Sequence, residues 1–182
     1  ERRRDYLVGL LKAWSLERAL TNVHEGVSVE DQATADARLP ILLATPAAVR
    51  FVSYEPALGP VDFRNVNDAK RVSFKLSGGV EDNFLEIDAL QSSPGLDWII
   101  VGGESGPGAR RFDLDWARST VAQCKAAVIA CFVKQLGAQP FVSDSARDWS
   151  VGAPDGTFKI RDRKGGDWSE WPEDLRVREF PK

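Results

Sequence analysis

Apolar positions along this chain alternate between helical stripes and short runs. Tyr6, Leu7, Leu10, Leu11, Trp14 and Leu20 recur at helical spacing, which predicts an amphipathic helix over about residues 2–19. Residues 22–29 read as a strand ending at Ser28. Ser28, with Asp31 three residues on, makes an N-cap pattern, so a helix is expected to about Thr45. Pro40 should kink that helix or end it early. Residues 49–54 form the second expected strand, closed by Glu55-Pro56 because the residue before a proline is pushed toward extended geometry. Residues 96–101 are the most apolar run and read as a fully buried strand. A helix opened by Asp113 or Asp115 follows to about Val128, with Trp116, Val121 and Cys124 inward, and residues 129–133 are the next strand.

Two stretches break the alternation. Residues 64–95 are polar and weakly periodic, and read as an insertion carrying a small hairpin, with Val72 to Leu76 alternating like an edge strand. From Ala138 the pattern dissolves into Pro, Gly, Asp and Trp. Trp149, Trp168 and Trp171 are expected to anchor this tail over the surface. Alternating strands and helices predict a parallel sheet. The expected fold class is α/β, a partial TIM-like (β/α) barrel over residues 1–137 with the insertion, and an irregular Trp-rich tail over 138–182 packing on it. An incomplete barrel has open edges, which a missing segment, a partner chain or a homo-oligomer is expected to cover. The chain opens Glu-Arg-Arg-Arg inside a helical pattern and contains no Met, so a preceding segment is expected.

Composition narrows the function classes. The 182 residues, 43% hydrophobic and 28% charged, suit one domain with a core. No apolar run approaches the ~20 residues of a membrane span, so a cytoplasmic protein is expected, with no membrane partner. A net charge of -3 gives no electrostatic indication of nucleic-acid binding. One histidine, His24, and two cysteines, Cys124 and Cys131, build neither a zinc site nor a Ser-His-Asp triad. The cysteines are expected to be buried thiols.

The chemistry-bearing pattern lies at the ends of the strands. Ser28-Val29-Glu30, Ser53-Tyr54-Glu55 and Gly102-Gly103-Glu104 each follow an apolar run, and the fourth run ends in Lys134. Side chains two apart share a face of a strand, and parallel strands bring such ends to one rim, where α/β folds build sites. Ser28, Glu30, Ser53, Glu55, Gly102, Gly103, Glu104 and Lys134 are therefore the candidate ligand-binding residues, for a small polar ligand. Carboxylates converging there should raise one another's pKa, offset in part by Lys134. Gly102 and Gly103 would admit a ligand close to backbone; the bland reading is a tight βα loop. Arg110 and Arg111, just past that loop, are placed to meet an anion, whereas His24 and Arg50 lie toward the opposite rim.

Four blocks in register, residues 22–32 (NVHEGVSVEDQ), 45–56 (TPAAVRFVSYEP), 97–110 (DWIIVGGESGPGAR) and 132–137 (FVKQLG), with the closing 171–181 (WPEDLRVREFP), resemble a phage-related bacterial family of unknown function whose members look like radical-SAM-type barrels. The resemblance implies a (β/α) barrel with a three-cysteine loop for a [4Fe–4S] cluster and S-adenosylmethionine alongside. The cluster loop would precede this chain, so neither cofactor is expected to be held by this chain alone. Family members commonly carry Cys where Tyr54 stands. By the same resemblance the eight rim residues would face the adenosyl and substrate side. The alternative is a non-catalytic barrel remnant that binds a ligand or partner. A hydrolytic barrel using paired carboxylates is the weakest reading.

Overall fold

The computed structural model describes residues 20–76, 79–143 and 156–182. The expected helix over 2–19 and Trp149 lie outside them. The architecture is mixed α/β. Strands β1 (His24–Ser28), β2 (Val49–Tyr54), β5 (Trp98–Gly102) and β7 (Ala130–Gln135) form one parallel sheet in the order β1-β2-β5-β7. Helix α1 (Gln32–Leu43) links β1 to β2, and α2 (Leu114–Ala127) links β5 to β7. The sheet is open among the described residues; the barrel expectation extends beyond it. None of the described helices is long and apolar enough to cross a membrane.

The strands alternate because one face packs on the helices. Val52 and Tyr54, Ile99 and Val101, Cys131 and Val133 are buried on that face. They share a core with Ala35, Leu39 and Leu42 of α1 and Leu114, Ala117 and Cys124 of α2. A fully buried aliphatic side chain contributes about 1.5–3 kcal/mol, so this two-layer core is the main source of stability. Cys124 and Cys131 are buried free thiols, as expected. Their mutual contact, with burial, holds the Cys124 thiol protonated.

Two helix boundaries differ from expectation. Asp31, not Ser28, caps α1: its carboxylate accepts from Thr34 N at 2.8 Å, and Thr34 Oγ1 accepts from Asp31 N at 3.0 Å. This reciprocal box lies three residues downstream of the Ser28 pattern. Pro40 does not end α1, which continues to Leu43; the proline removes only the N–H that would have bonded four residues back. The Thr34 hydrogen bonds, backbone first, and the Arg38 charge lower the Asp31 pKa. Its stabilisation is therefore complete above the unfolded value near ~4 and is lost as pH falls through the lower folded value. Asp31→Ala is expected to cost about 0.5–2 kcal/mol at neutral pH, and the difference from wild type should shrink in acid unfolding curves.

The insertion is one long antiparallel hairpin, β3 (Val66–Leu76) with β4 (Gly79–Ile87), rather than a short edge strand. Near the tail, β6 (Phe112–Asp113) pairs in parallel with β8 (Pro140–Phe141). The tail itself closes an edge of the main sheet. Val133 N donates to Val177 O at 2.9 Å and Glu179 N to Cys131 O at 2.8 Å, flanking an antiparallel bridge between Phe132 and Arg178. The outer edge of β7 is covered by the same chain.

Candidate functional site

The sheet face opposite the helices is layered. Register places Gly26, Phe51 and Trp98 at one level of β1, β2 and β5. Phe51 and Trp98 have ring centroids 6.0 Å apart, Trp98 and Phe132 6.2 Å, and Phe180 of the tail lies 5.6 Å from Trp98 and 5.5 Å from Phe132. Phe51 lies so close over Gly26 that a Cβ there would meet its ring at 2.4 Å. Ser28, Ser53 and Ile100 occupy the next level. Beyond them stand Glu55, Gly102 and Lys134. An aromatic floor thus rises through hydroxyls to a charged rim.

At that rim each expected carboxylate has a cation. Glu55 Oε2 accepts from Lys134 Nζ at 2.7 Å. Because β2 and β7 flank β5, this pair spans the end of β5 at Gly102. Glu55 is 16% exposed and Lys134 53%, so the carboxylate is held by the fold and the ammonium faces solvent. Glu30 pairs with Arg38 of α1 at 3.0 Å. Glu104 receives Arg110 through Nε at 2.8 Å, through NH2 at 3.0 Å and through its backbone N at 2.9 Å.

The expectation that the acids raise one another's pKa is therefore corrected at Glu104. The Arg110 side chain and backbone N–H hold its pKa down at about 2, so it is a carboxylate at neutral pH and not a general acid. Glu30 contributes to the field at Arg110, which puts β1 and β5 termini within electrostatic reach of each other.

The two glycines have a packing reason. A Cβ on Gly103 would lie 2.5 Å from Leu136 O and 2.8 Å from Phe112 Cβ, and one on Gly102 3.2 Å from Gln135 O. Gly103 N donates to Gln135 O and Gln135 Nε2 to Gly103 O. These contacts press the β5 end against the β7 end and support the tight βα-loop reading. Tyr54 turns to the helix face, where its hydroxyl donates to Gly59 O. Burial, then the charges of Asp31 and Asp113, raise its pKa, which keeps the phenol neutral.

His24 begins β1, at the rim away from these groups. Arg50, also at that end, is buried: its NH2 donates to Thr45 O at 2.9 Å while its Nε has no partner among the described residues. Sequence reasoning missed Arg38, whose role depends on the course of α1. No group of three or more His, Cys, Asp or Glu side chains among the described residues is placed to hold a metal.

A family profile described as "Protein of unknown function (DUF5131)" matches residues 1–167. The chain belongs to this family. Comparison with curated proteins and with solved structures finds no match. Membership in the DUF5131 family fixes no reaction.

Proposed function

We propose that the C-terminal rim of the sheet binds a small polar ligand, and that the sheet is part of a radical-SAM-like (β/α) barrel in which that ligand is S-adenosylmethionine. The observation that carries this reading is the Glu55–Lys134 pair across the end of β5, above a face of hydroxyls and aromatic rings. A zwitterionic amino-acid group can take its place without stranding a charge: Glu55 accepts the ligand ammonium while Lys134 turns to the carboxylate. Ser28 and Ser53 offer hydroxyls to a sugar, and Ile100 and the rings below offer apolar surface to a base. Bound S-adenosylmethionine would supply an electrophilic sulfonium-linked carbon.

The cysteines here do not fit an iron–sulfur cluster at that rim. Cys124 and Cys131 are buried together on the helix face and are only two. The second reading is a barrel remnant that binds a ligand or partner without turnover.

Calorimetry with S-adenosylmethionine tests the binding reading. Glu55→Gln and Lys134→Ala are each expected to weaken binding about tenfold or more, from the ~1.5–3 kcal/mol of a charge-assisted hydrogen bond. Glu25→Gln, exposed on β1 away from the pair, should bind as wild type. Equal affinity in all variants would remove the proposed site.

A further inference from the structure

A concavity lies away from the strand-end rim, between the tail and the turn after β7. It is a cleft of about 850 Å³, within the ~300–1,000 Å³ typical of small-ligand sites. None of the eight rim residues lines it. Ala138, Pro140, Phe158 and Ile160 give the apolar part of its lining, Gln139, Thr157 and Ser169 add polar surface, and Arg111, Lys159 and Arg161 contribute cationic groups. The wall is tied in place: Phe158 N donates to Pro140 O at 3.0 Å, and Phe141 bridges Thr157.

Its charges are arranged unequally. Both acids of the lining are engaged within the wall. Glu170 Oε2 accepts from Arg161 N at 2.9 Å and Asp162 N at 3.1 Å, and Asp167 Oδ1 accepts from Ser169 N and Oγ at 2.9 and 2.7 Å. Asp162 in turn accepts from the backbone N–H groups of Lys164, Gly166 and Asp167, which folds its own loop. The cations extend outward. Arg161 is 98% exposed with its Nε 3.8 Å from Glu170, and Lys159 is exposed with no ion pair among the described residues. The Arg111 Cζ sits over the Phe141 ring, 4.0 Å from its centroid.

A cationic lip over a lining of mixed apolar and hydrogen-bonding groups matches a ligand with phosphate at one end and a flat body with polar edges, such as a base, at the other. A carboxylate peptide would meet the cations but leave the lining unfilled. We infer that this cleft binds the phosphate and base of a nucleotide, free or within a single strand of nucleic acid. The overall charge of -3 does not oppose this, because a Debye length of about 8 Å at physiological salt screens distant acids and leaves the local cations dominant.

Fluorescence anisotropy of the full chain with labelled oligothymidylate at low salt tests the inference, with adenosine 5′-monophosphate, inorganic phosphate and polyglutamate as competitors. Binding is expected to weaken about tenfold in Lys159→Glu and in Arg161→Glu, from loss of a charge-assisted contact. Each removed phosphate contact should lower the salt slope by about 0.7. Lys125→Glu on α2 and Glu55→Gln at the rim should bind as wild type, which separates this site from the one proposed above. Displacement by the mononucleotide assigns the free ligand, and its failure to displace assigns the strand. Absence of binding by both nucleotide probes, equal weakening by Lys125→Glu, or stronger binding of polyglutamate would overturn it. Unchanged unfolding midpoints identify the variants that report on binding, and Lys159→Glu, at an exposed side chain, carries the test if Arg161→Glu misfolds.

Discussion

Trp171→Ala is expected to destabilise the fold by about 3–5 kcal/mol, the range for deleting a buried aromatic side chain. Trp171 is 2% exposed. Its indole N–H donates to Gly165 O at 2.9 Å and its ring stacks on Trp168 with centroids 6.0 Å apart. Arg178 crosses both rings, at 4.5 Å from Trp168 and 5.6 Å from Trp171. Arg176 adds two hydrogen bonds to the Trp171 carbonyl. The residue therefore fixes the segment that hydrogen-bonds the outer edge of β7. Urea unfolding should give the loss directly, and the midpoint of thermal unfolding should fall by roughly 10 °C, at about 2–4 °C per kcal/mol for a chain of this size. Hydrogen exchange at the amides of Val133 and Glu179 should accelerate together. A loss below about 1 kcal/mol would show that the indole does not anchor the tail.

Gly137→Ala is expected to cost about 2–5 kcal/mol. Gly137 has φ +75, and a Cβ there would lie 2.6 Å from Glu104 O and 2.8 Å from Gly103 C. The left-handed backbone accounts for about 1–2 kcal/mol and the crowding for a further ~1–3 kcal/mol. Gly108 is a matched control, with the same φ of +75 and nothing within 4 Å of an added Cβ. Gly108→Ala should show the backbone part alone, so the difference between the two unfolding free energies measures the crowding. The same substitution pushes on the Glu104 end of the rim, so ligand affinity should fall in Gly137→Ala more than in Gly108→Ala. Equal destabilisation of both would mean that the β7 turn yields to make room.

The sheet was legible in the sequence because its strands alternate between a helix-packed face and a half-open one. Val52 and Tyr54 beside Phe51 and Ser53 carry that period directly. The Ser-x-Glu endings predicted a common rim, and Lys134 as its cation, for the same reason. Pairing of the other two acids was not legible. Glu104 meets Arg110 through an irregular loop, and Glu30 meets Arg38 only once α1 has turned back along β1. Neither spacing carries a period from which to read it. The α1 cap was misplaced because Ser28-x-x-Asp31 and Asp31-x-x-Thr34 satisfy similar rules, and backbone pairing of β1 with β2 through Ser28 decides between them. The hairpin exceeded expectation because backbone pairing of Val66–Leu76 with Gly79–Ile87 does not require a clean hydrophobic alternation. The cleft beside the tail had only a basic run at 161–164 to announce it. The apolar part of its lining includes Pro140 and Phe158, brought together by the backbone hydrogen bond between them beside the Phe141–Thr157 bridge.

The antiparallel closure of β7 by residues 177–179 also sets an order of events during synthesis. The parallel sheet emerges from the ribosome first, with the N–H and C=O groups of Cys131 and Val133 bare along one side. At about 5–20 residues per second, those groups wait several seconds for their own strand-like partner. During translation the nascent chain therefore presents a transient template for chaperones or for a neighbouring copy on the same polysome, which vanishes when the last tryptophan finds its seat.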